Sequence, residues 1–267
     1  MHQANPAEPS STLRALIAHV LRVPPHFALA HPDYALKPNQ EIVLNQLLNR
    51  LMGGTPLPYL TGTQSFYGLD FSVNPHVLIP RPETEMLVSA ALNFLNNRGT
   101  QLIAADVGTG SGCIAICLAK LQPDLMVFAG DISFDAIQVA RQNASTHQVG
   151  SSITFWVGDL LSAINQRFDC ICANLPYIPT KRLKNLEVSK HEPLAALDGG
   201  EEGILLIEKL LEQCEGRLKP GGSLFLEIDH THDEVFFRSA ERLIPFSSIT
   251  IEKDYAGLNR LAIVSRS

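Results

Sequence analysis

From Pro82 to the end of the chain, short unbroken apolar runs alternate with stretches of helical period, and this alternation restricts the fold more than any other feature. The runs span residues 102–107, 126–129, 153–157, 168–173 and 223–228; helical patterns fill 83–96, 112–121, 133–147, 204–214 and 233–243, and a short helical insert precedes 168. Strands that are apolar on both faces must be covered on both faces, which predicts a mostly parallel sheet with helices on each side. Two further runs, 248–252 and 260–264, are joined too briefly for a parallel crossover. The last of the seven strands is therefore expected to run antiparallel.

The first 62 residues differ. Leu13, Leu16, Ile17, Val20 and Leu21 recur with helical spacing until Pro24-Pro25. A second helix from about residue 39 is expected to turn Ile42, Val43, Leu47, Leu48 and Leu51 inward and to end at Gly53-Gly54. Helices this short need a partner, so the segment reads as a small helical bundle. Phe66, Tyr67, Leu69, Phe71 and Val73, followed by Asn74-Pro75-His76 and Val77-Leu78-Ile79, read as a β-hairpin. The resulting division is a helical domain over 1–62, a hairpin linker over 63–80 and an α/β domain over 81–267.

The 267 residues carry 27 acidic against 21 basic side chains. A net charge of −6 disfavours a protein whose task is gripping bare nucleic acid. No apolar run reaches the length of a membrane span, and the N-terminus lacks the pattern of a secretory signal. Five cysteines, four of them inside apolar runs, suit buried thiols in a reducing compartment. A cytoplasmic protein is expected.

Asp106-Val107-Gly108-Thr109-Gly110-Ser111-Gly112 falls where the first parallel strand meets its helix. Glycines there allow a tight turn and close approach of a ligand to free helix N–H groups. Asp131 ends the next strand, where a carboxylate can accept from both hydroxyls of a ribose. Asp159, with Leu160 beside it, follows the third strand and is placed to touch an adenine edge. These residues suit any adenosine-bearing cofactor; the dinucleotide fingerprint is weakened because it needs glycine where Cys113 stands.

Asn174-Leu175-Pro176-Tyr177 leaves the carboxyl end of the fourth strand, where the strand order is expected to reverse. Asn174 offers a side-chain carbonyl, Leu175 its main-chain carbonyl, Pro176 holds Leu175 extended, and Tyr177 supplies a flat face. Two acceptors diverging over a planar NH₂ group suit methylation of an amide or an exocyclic amine.

With these motifs, the chain resembles the HemK/PrmC group of class I S-adenosylmethionine-dependent methyltransferases. The residues carrying the resemblance are Leu78-Ile79-Pro80-Arg81-Pro82-Glu83-Thr84-Glu85, the glycine turn, Asp131-Ile132-Ser133 and Asn174-Leu175-Pro176-Tyr177-Ile178. Glu192-Pro193, Ala196-Leu197-Asp198-Gly199-Gly200 and Pro220-Gly221-Gly222 complete them. The resemblance implies a Rossmann-like catalytic domain that binds S-adenosyl-L-methionine through Asp106, Gly108, Thr109, Gly110, Ser111, Gly112, Asp131, Asp159, Leu160 and Asn174. It further implies N5-methylation of the glutamine in the Gly-Gly-Gln loop of a peptide chain release factor, held by Asn174, Leu175, Pro176 and Tyr177. Arg81, Pro82, Glu83 and Thr84 would form the lid side of the pocket. The chain departs from the family where Leu175 replaces the usual proline of Asn-Pro-Pro-Tyr. It departs again where Glu227-Ile228-Asp229-His230-Thr231-His232 replaces Glu-Ile-Gly followed by glutamine.

The alternatives are an amino-methyltransferase acting on a nucleic-acid base, a non-catalytic binding module, and a nicotinamide-dependent reductase. The cysteine spacings match no zinc site, and Asp229 with His230 and His232 reads as an exposed turn, so no metal is expected. The loop 178–200, with Lys181, Arg182, Lys184 and Lys190, is long enough to contact a protein substrate. No membrane or direct nucleic-acid contact is expected, and the working unit is expected to be a monomer.

Overall fold

The computed structural model describes residues 9–245 and 247–267. Residues up to Thr63 form one compact unit, and Gln64–Ser267 form a second. The first holds α1 (Pro9–Leu21), α2 (Phe27–Ala30), α3 (Pro38–Met52) and α4 (Leu57–Thr61). Its core is Leu16, Leu44, Leu47 and Leu60. Leu44, Leu47, Leu48 and Leu51 make the stripe that α3 turns inward; Ile42 and Val43, expected inside, are exposed. Those two lie off the i, i+3, i+4, i+7 row that the leucines occupy. The helices α2 and α4 escaped the sequence reading because four or five residues are too few to establish a period.

The second unit opens with a hairpin, β1 (Thr63–Phe66) and β2 (Leu69–Ser72). Its turn is Tyr67-Gly68, not Asn74-Pro75-His76: both central residues have positive φ, 51° and 74°, as the twist-matched two-residue turn requires. Residues 77–79 form no strand. The buried Asn143 fastens β2 in place. Its Oδ1 accepts from Ser72 N (2.8 Å), and its Nδ2 donates to Ser72 O (3.0 Å) and Ser111 O (2.9 Å).

The main body runs α5 (Thr84–Asn96), β3 (Ile103–Val107), α6 (Cys113–Leu121), β4 (Met126–Asp131), α7 (Phe134–Thr146), β5 (Ile153–Val157) and β6 (Phe168–Ala173). After the long loop and its short α8 (Thr180–Leu183) come α9 (Leu205–Arg217), β7 (Leu218–Glu227), α10 (Asp233–Leu243), β8 (Ser247–Lys253) and β9 (Asn259–Arg266). The segment before β6, expected to hold a short helix, is turn over 160–163 and irregular over 164–167. The sheet order is β5-β4-β3-β6-β7-β9-β8; pairings from β5 to β7 are parallel, and β9 is antiparallel to both neighbours.

The strands alternate between two cores. Along β6, Cys170 and Cys172 join the layer of α5 and α6, whereas Ile171 and Ala173 join that of α9 and α10. Every residue of β6 is buried, as its central position demands. Asp169 is tolerated there because Ile103 N (2.8 Å) and Lys219 Nζ (2.7 Å) donate to its carboxylate. All seven residues Cys113–Ala119 of α6 are buried, the pattern of a helix packed on several sides. All five cysteines are buried and free.

Candidate active site

The chain lays β4 and then β5 outward from β3, returns, and places β6 on the other side of β3. The crevice at this switch point lies over the carboxyl ends of β3 and β6. A cavity of about 270 Å³ occupies it, walled by Gly108, Thr109, Gly110, Ser111, Asp131, Asp159, Leu160, Asn174, Leu175 and Pro176 among others. Ten of the residues singled out from sequence thus share one wall. Asp106, Gly112 and Tyr177 do not belong to it.

Asp106 is fully buried beneath the glycine turn. Its Oδ2 accepts from Thr109 Oγ1 (2.6 Å) and Ala115 N (3.1 Å), which ties the turn to the first residues of α6. Burial pushes its carboxyl up to about 7, and Oδ1 has no partner among the described residues. Its place is to brace the loop from behind. Asp131 is built into the turn as well: Gly110 N donates to Oδ2 and Ser133 N to Oδ1, each at 2.9 Å. Each of those oxygens keeps a lone pair for a further donor. Burial raises the Asp131 carboxyl above its ordinary range despite both N–H bonds. Asp159 reaches the cavity wall but is ion-paired with Lys209. Leu160 is buried with φ 51°, and its carbonyl accepts from the Trp156 indole at 3.1 Å.

The tetrapeptide packs directly on the glycine turn. Gly108 has φ +75°, and a Cβ there would stand 3.1 Å from Leu175 Cδ2. Close approach of the two loops therefore needs a residue without a side chain at 108. Asn174 Nδ2 donates to Thr84 Oγ1 (2.9 Å), and Thr84 Oγ1 donates to Glu227 Oε2 (2.6 Å). Nothing among the described residues donates to Asn174 Oδ1 or to the Leu175 carbonyl. Tyr177 is turned away from the cavity: its hydroxyl donates to Glu227 Oε1 at 3.3 Å. Burial raises the phenol above its ordinary range and also raises the Glu227 carboxyl. The flat face expected to pack the acceptor group is thus committed to the protein, because a buried hydroxyl takes the nearest strong acceptor.

Of the expected lid residues, Arg81 and Thr84 line the cavity, while Pro82 and Glu83 do not. Arg81 is ion-paired with the buried Glu192, whose other oxygen accepts from Ile79 N at 3.1 Å. This pair joins the segment before α5 to the long loop, which adds Pro193, Ala195 and Ala196 to the wall. The wall also includes Ile132, from the Asp131-Ile132-Ser133 motif, and His76 and Val77, which the sequence reading placed in a hairpin and not in the site. His232, expected in an exposed turn, is buried; its ring lies where a Cβ on Gly203 would meet it at 2.9 Å. Among the described residues no cluster of His, Cys, Asp or Glu is arranged to hold a metal, and no helix is long and apolar enough to cross a membrane.

A parallel sheet with this order, its antiparallel β9, and a glycine turn facing a strand-end carboxylate define a class I methyltransferase. Residues 84–190 match the family described as methyltransferase small domain, and residues 1–62 match the PrmC N-terminal domain. The release factor glutamine methyltransferase of Koribacter versatilis is 38% identical over 235 residues, covering 86% of this chain and 83% of that protein. The protein of the same name from Moorella thermoacetica is 40% identical over 223 residues, covering 83% and 78%. The chain belongs to the release factor glutamine methyltransferase family. A 16S rRNA methyltransferase of T. thermophilus, solved in complex with AdoMet and guanosine, shares the fold at TM-score 0.56 and 16% identity, over 77% of this chain and 50% of that one.

Proposed function

We propose that this protein transfers a methyl group from S-adenosylmethionine to the side-chain amide nitrogen of the glutamine in a release factor Gly-Gly-Gln loop. The observation that carries this reading is the pair of open acceptors, Asn174 Oδ1 and the Leu175 carbonyl, beside a glycine turn suited to an adenosine-bearing group. The turn fits such a group. Nothing lies within 4 Å of where a Gly110 Cβ would stand, and Asp131 presents carboxylate oxygens with lone pairs to spare.

When bound, S-adenosylmethionine supplies an electrophilic methyl on a sulfonium. The chain's own contribution is orientation. An amide nitrogen is a poor nucleophile because its lone pair is shared with its carbonyl. Asn174 Oδ1 and the Leu175 carbonyl each take one N–H of the glutamine, which fixes the plane of the NH₂ group and offsets positive charge growing on nitrogen until one of the two protons leaves to water as the N–C bond forms. Leu175 serves in place of the usual proline because the acceptor is main-chain. Its side chain, packed on Gly108, holds that carbonyl where proline rigidity otherwise would. Asp131 is assigned to the ribose hydroxyls, and Gly108–Ser111 with Asp159 and Leu160 to the remaining wall. Residues 1–62 are assigned to recognition of the protein substrate, acting with the loop 178–200 in a cytoplasmic monomer.

The test is transfer of labelled methyl to purified release factor, with a free oligonucleotide as the competing acceptor and the product mapped by mass spectrometry. Label on the Gly-Gly-Gln glutamine supports the reading; label on the oligonucleotide, or on another residue, overturns it. Asn174→Ala is expected to lose about 10²–10³ in rate with most cofactor affinity retained, by comparison with removing one oriented oxyanion-hole group.

A further inference from the structure

The two ends of the Asn174 amide have nearly the same shape but opposite hydrogen-bonding sense. Only one orientation presents oxygen to a substrate N–H. We propose that Thr84 and Glu227 lock the polarity of Asn174, which makes Thr84 a positioning residue for methyl transfer; the inference rests on the amide-methylating reading above. The Thr84 hydroxyl has a single proton, and it is committed to Glu227 Oε2 at 2.6 Å. Toward Asn174 it has only lone pairs, so Asn174 must offer Nδ2, as it does at 2.9 Å. Oδ1 is left for the cavity. The other Glu227 oxygen takes the Tyr177 proton, so the same carboxylate anchors both ends of the tetrapeptide.

A carboxylate suits this post because it accepts twice and never donates. If Glu227 were protonated it would donate to Thr84, whose own proton could then turn to Asn174 and invert the amide. The groups facing Glu227 oppose one another: Arg260 on β9 favours the charged form, while burial and Glu83 at the start of α5 favour the neutral one. Asp229 adds its charge beside Tyr177. Thr84 is not at this position to cap α5. Glu83 is the cap residue and makes no side-chain cap bond, and the Thr84 hydroxyl goes to a side chain of β7.

The variants are Thr84→Val, which keeps the shape without the hydroxyl, Thr84→Ser, which restores the hydroxyl, and Glu227→Gln, which can donate as well as accept. Each is followed by single-turnover methyl transfer to release factor, by cofactor affinity, and by the ¹⁵N side-chain resonance of Asn174 in the free enzyme, assigned from its loss in Asn174→Asp. Thr84→Val is expected to slow transfer about 10- to 100-fold, as a small misorientation of a reacting group does, with cofactor affinity within about twofold. Thr84→Ser should recover most of the rate. The Asn174 resonance should shift, and its protons exchange faster, in Val but not in Ser. The wild-type rate is expected to fall at acid pH as Glu227 takes up a proton, and Glu227→Gln should lower the rate and flatten that fall. A wild-type rate in Thr84→Val, failure of Ser to rescue, or an acid limb retained in Glu227→Gln overturns the lock. The resonance needs no substrate: an unmoved Asn174 signal in Thr84→Val overturns the lock by itself. A wild-type enzyme that leaves release factor unmethylated overturns the functional reading instead. If Val does not fold, Glu227→Gln decides the question alone.

Discussion

Gly108→Ala tests whether the cofactor turn and the acceptor loop work as one unit. Gly108 has φ +75°, and Gly110 in the same turn has φ +54°. Placing an L-residue in this region costs about 1–2 kcal/mol, partly offset by about 0.4–1 kcal/mol from a less flexible unfolded chain. The net loss is about 1 kcal/mol at either position, or about 2–4 °C in Tm for a body of this size. The two differ in what the new methyl meets. At 108 it stands 3.1 Å from Leu175 Cδ2, so Leu175 must yield by a few tenths of an ångström; at 110 it meets nothing within 4 Å. Leu175 is buried, and its carbonyl is assigned to the substrate, so its displacement carries the acceptor along. A shift of 1 Å costs about 10² in rate, and a few tenths should cost about 3- to 10-fold. Gly108→Ala should therefore lower kcat, while Gly110→Ala, whose methyl enters the cavity, should raise KM for S-adenosylmethionine. Thermal melts confirm equal stability, and steady-state kinetics separate the two effects. A wild-type kcat in Gly108→Ala, with the expected loss in Tm, would refute the contact argument.

Asp131→Ala should weaken S-adenosylmethionine binding by at least about 1.5–3 kcal/mol, the range for losing charge-assisted hydrogen bonds, because it also releases Gly110 N and Ser133 N; unchanged affinity by calorimetry would place the cofactor elsewhere. Asp106→Asn should remove a pH dependence of stability. Burial raises the folded carboxyl from 3.8 to about 7, so the folded chain keeps a proton that the unfolded chain releases, and stability falls as pH rises through that window. The asparagine keeps one acceptor oxygen for Thr109 and Ala115, so Tm of the variant should decline less between pH 4 and pH 7 than wild type, by the equivalent of a few kcal/mol. Deleting residues 1–62 should leave cofactor affinity intact and abolish turnover on whole release factor; equal kcat/KM in the two proteins would remove the recognition role.

The sequence by itself determined the frame, because strand and helix periods are local. Continuous apolar runs such as Phe168–Ala173 can only be buried on both faces, and β6 is. The antiparallel β9 followed from a connection too short for any crossover. The glycine turn and the tetrapeptide were legible because each is a contiguous motif at a strand end, although the partners that hold them, Asp131, Thr84 and Glu227, lie elsewhere along the chain. Local patterns failed where a few residues or one turn decided the outcome, as with the hairpin at Tyr67-Gly68 and the exposed Ile42 and Val43. What only tertiary structure decided is which side chains face the cavity and which stand behind it. Asp106, read as a ligand, braces the turn, and Tyr177, read as a packing face, is bound to Glu227. Thr84 and Glu227, separated by 143 positions, meet at 2.6 Å because α5 begins where β7 ends. The sense of the Asn174 amide depends on that meeting. Hydrogen-bond polarity between side chains on different elements has no signature along one chain, since each residue's role is set by a partner that only folding supplies.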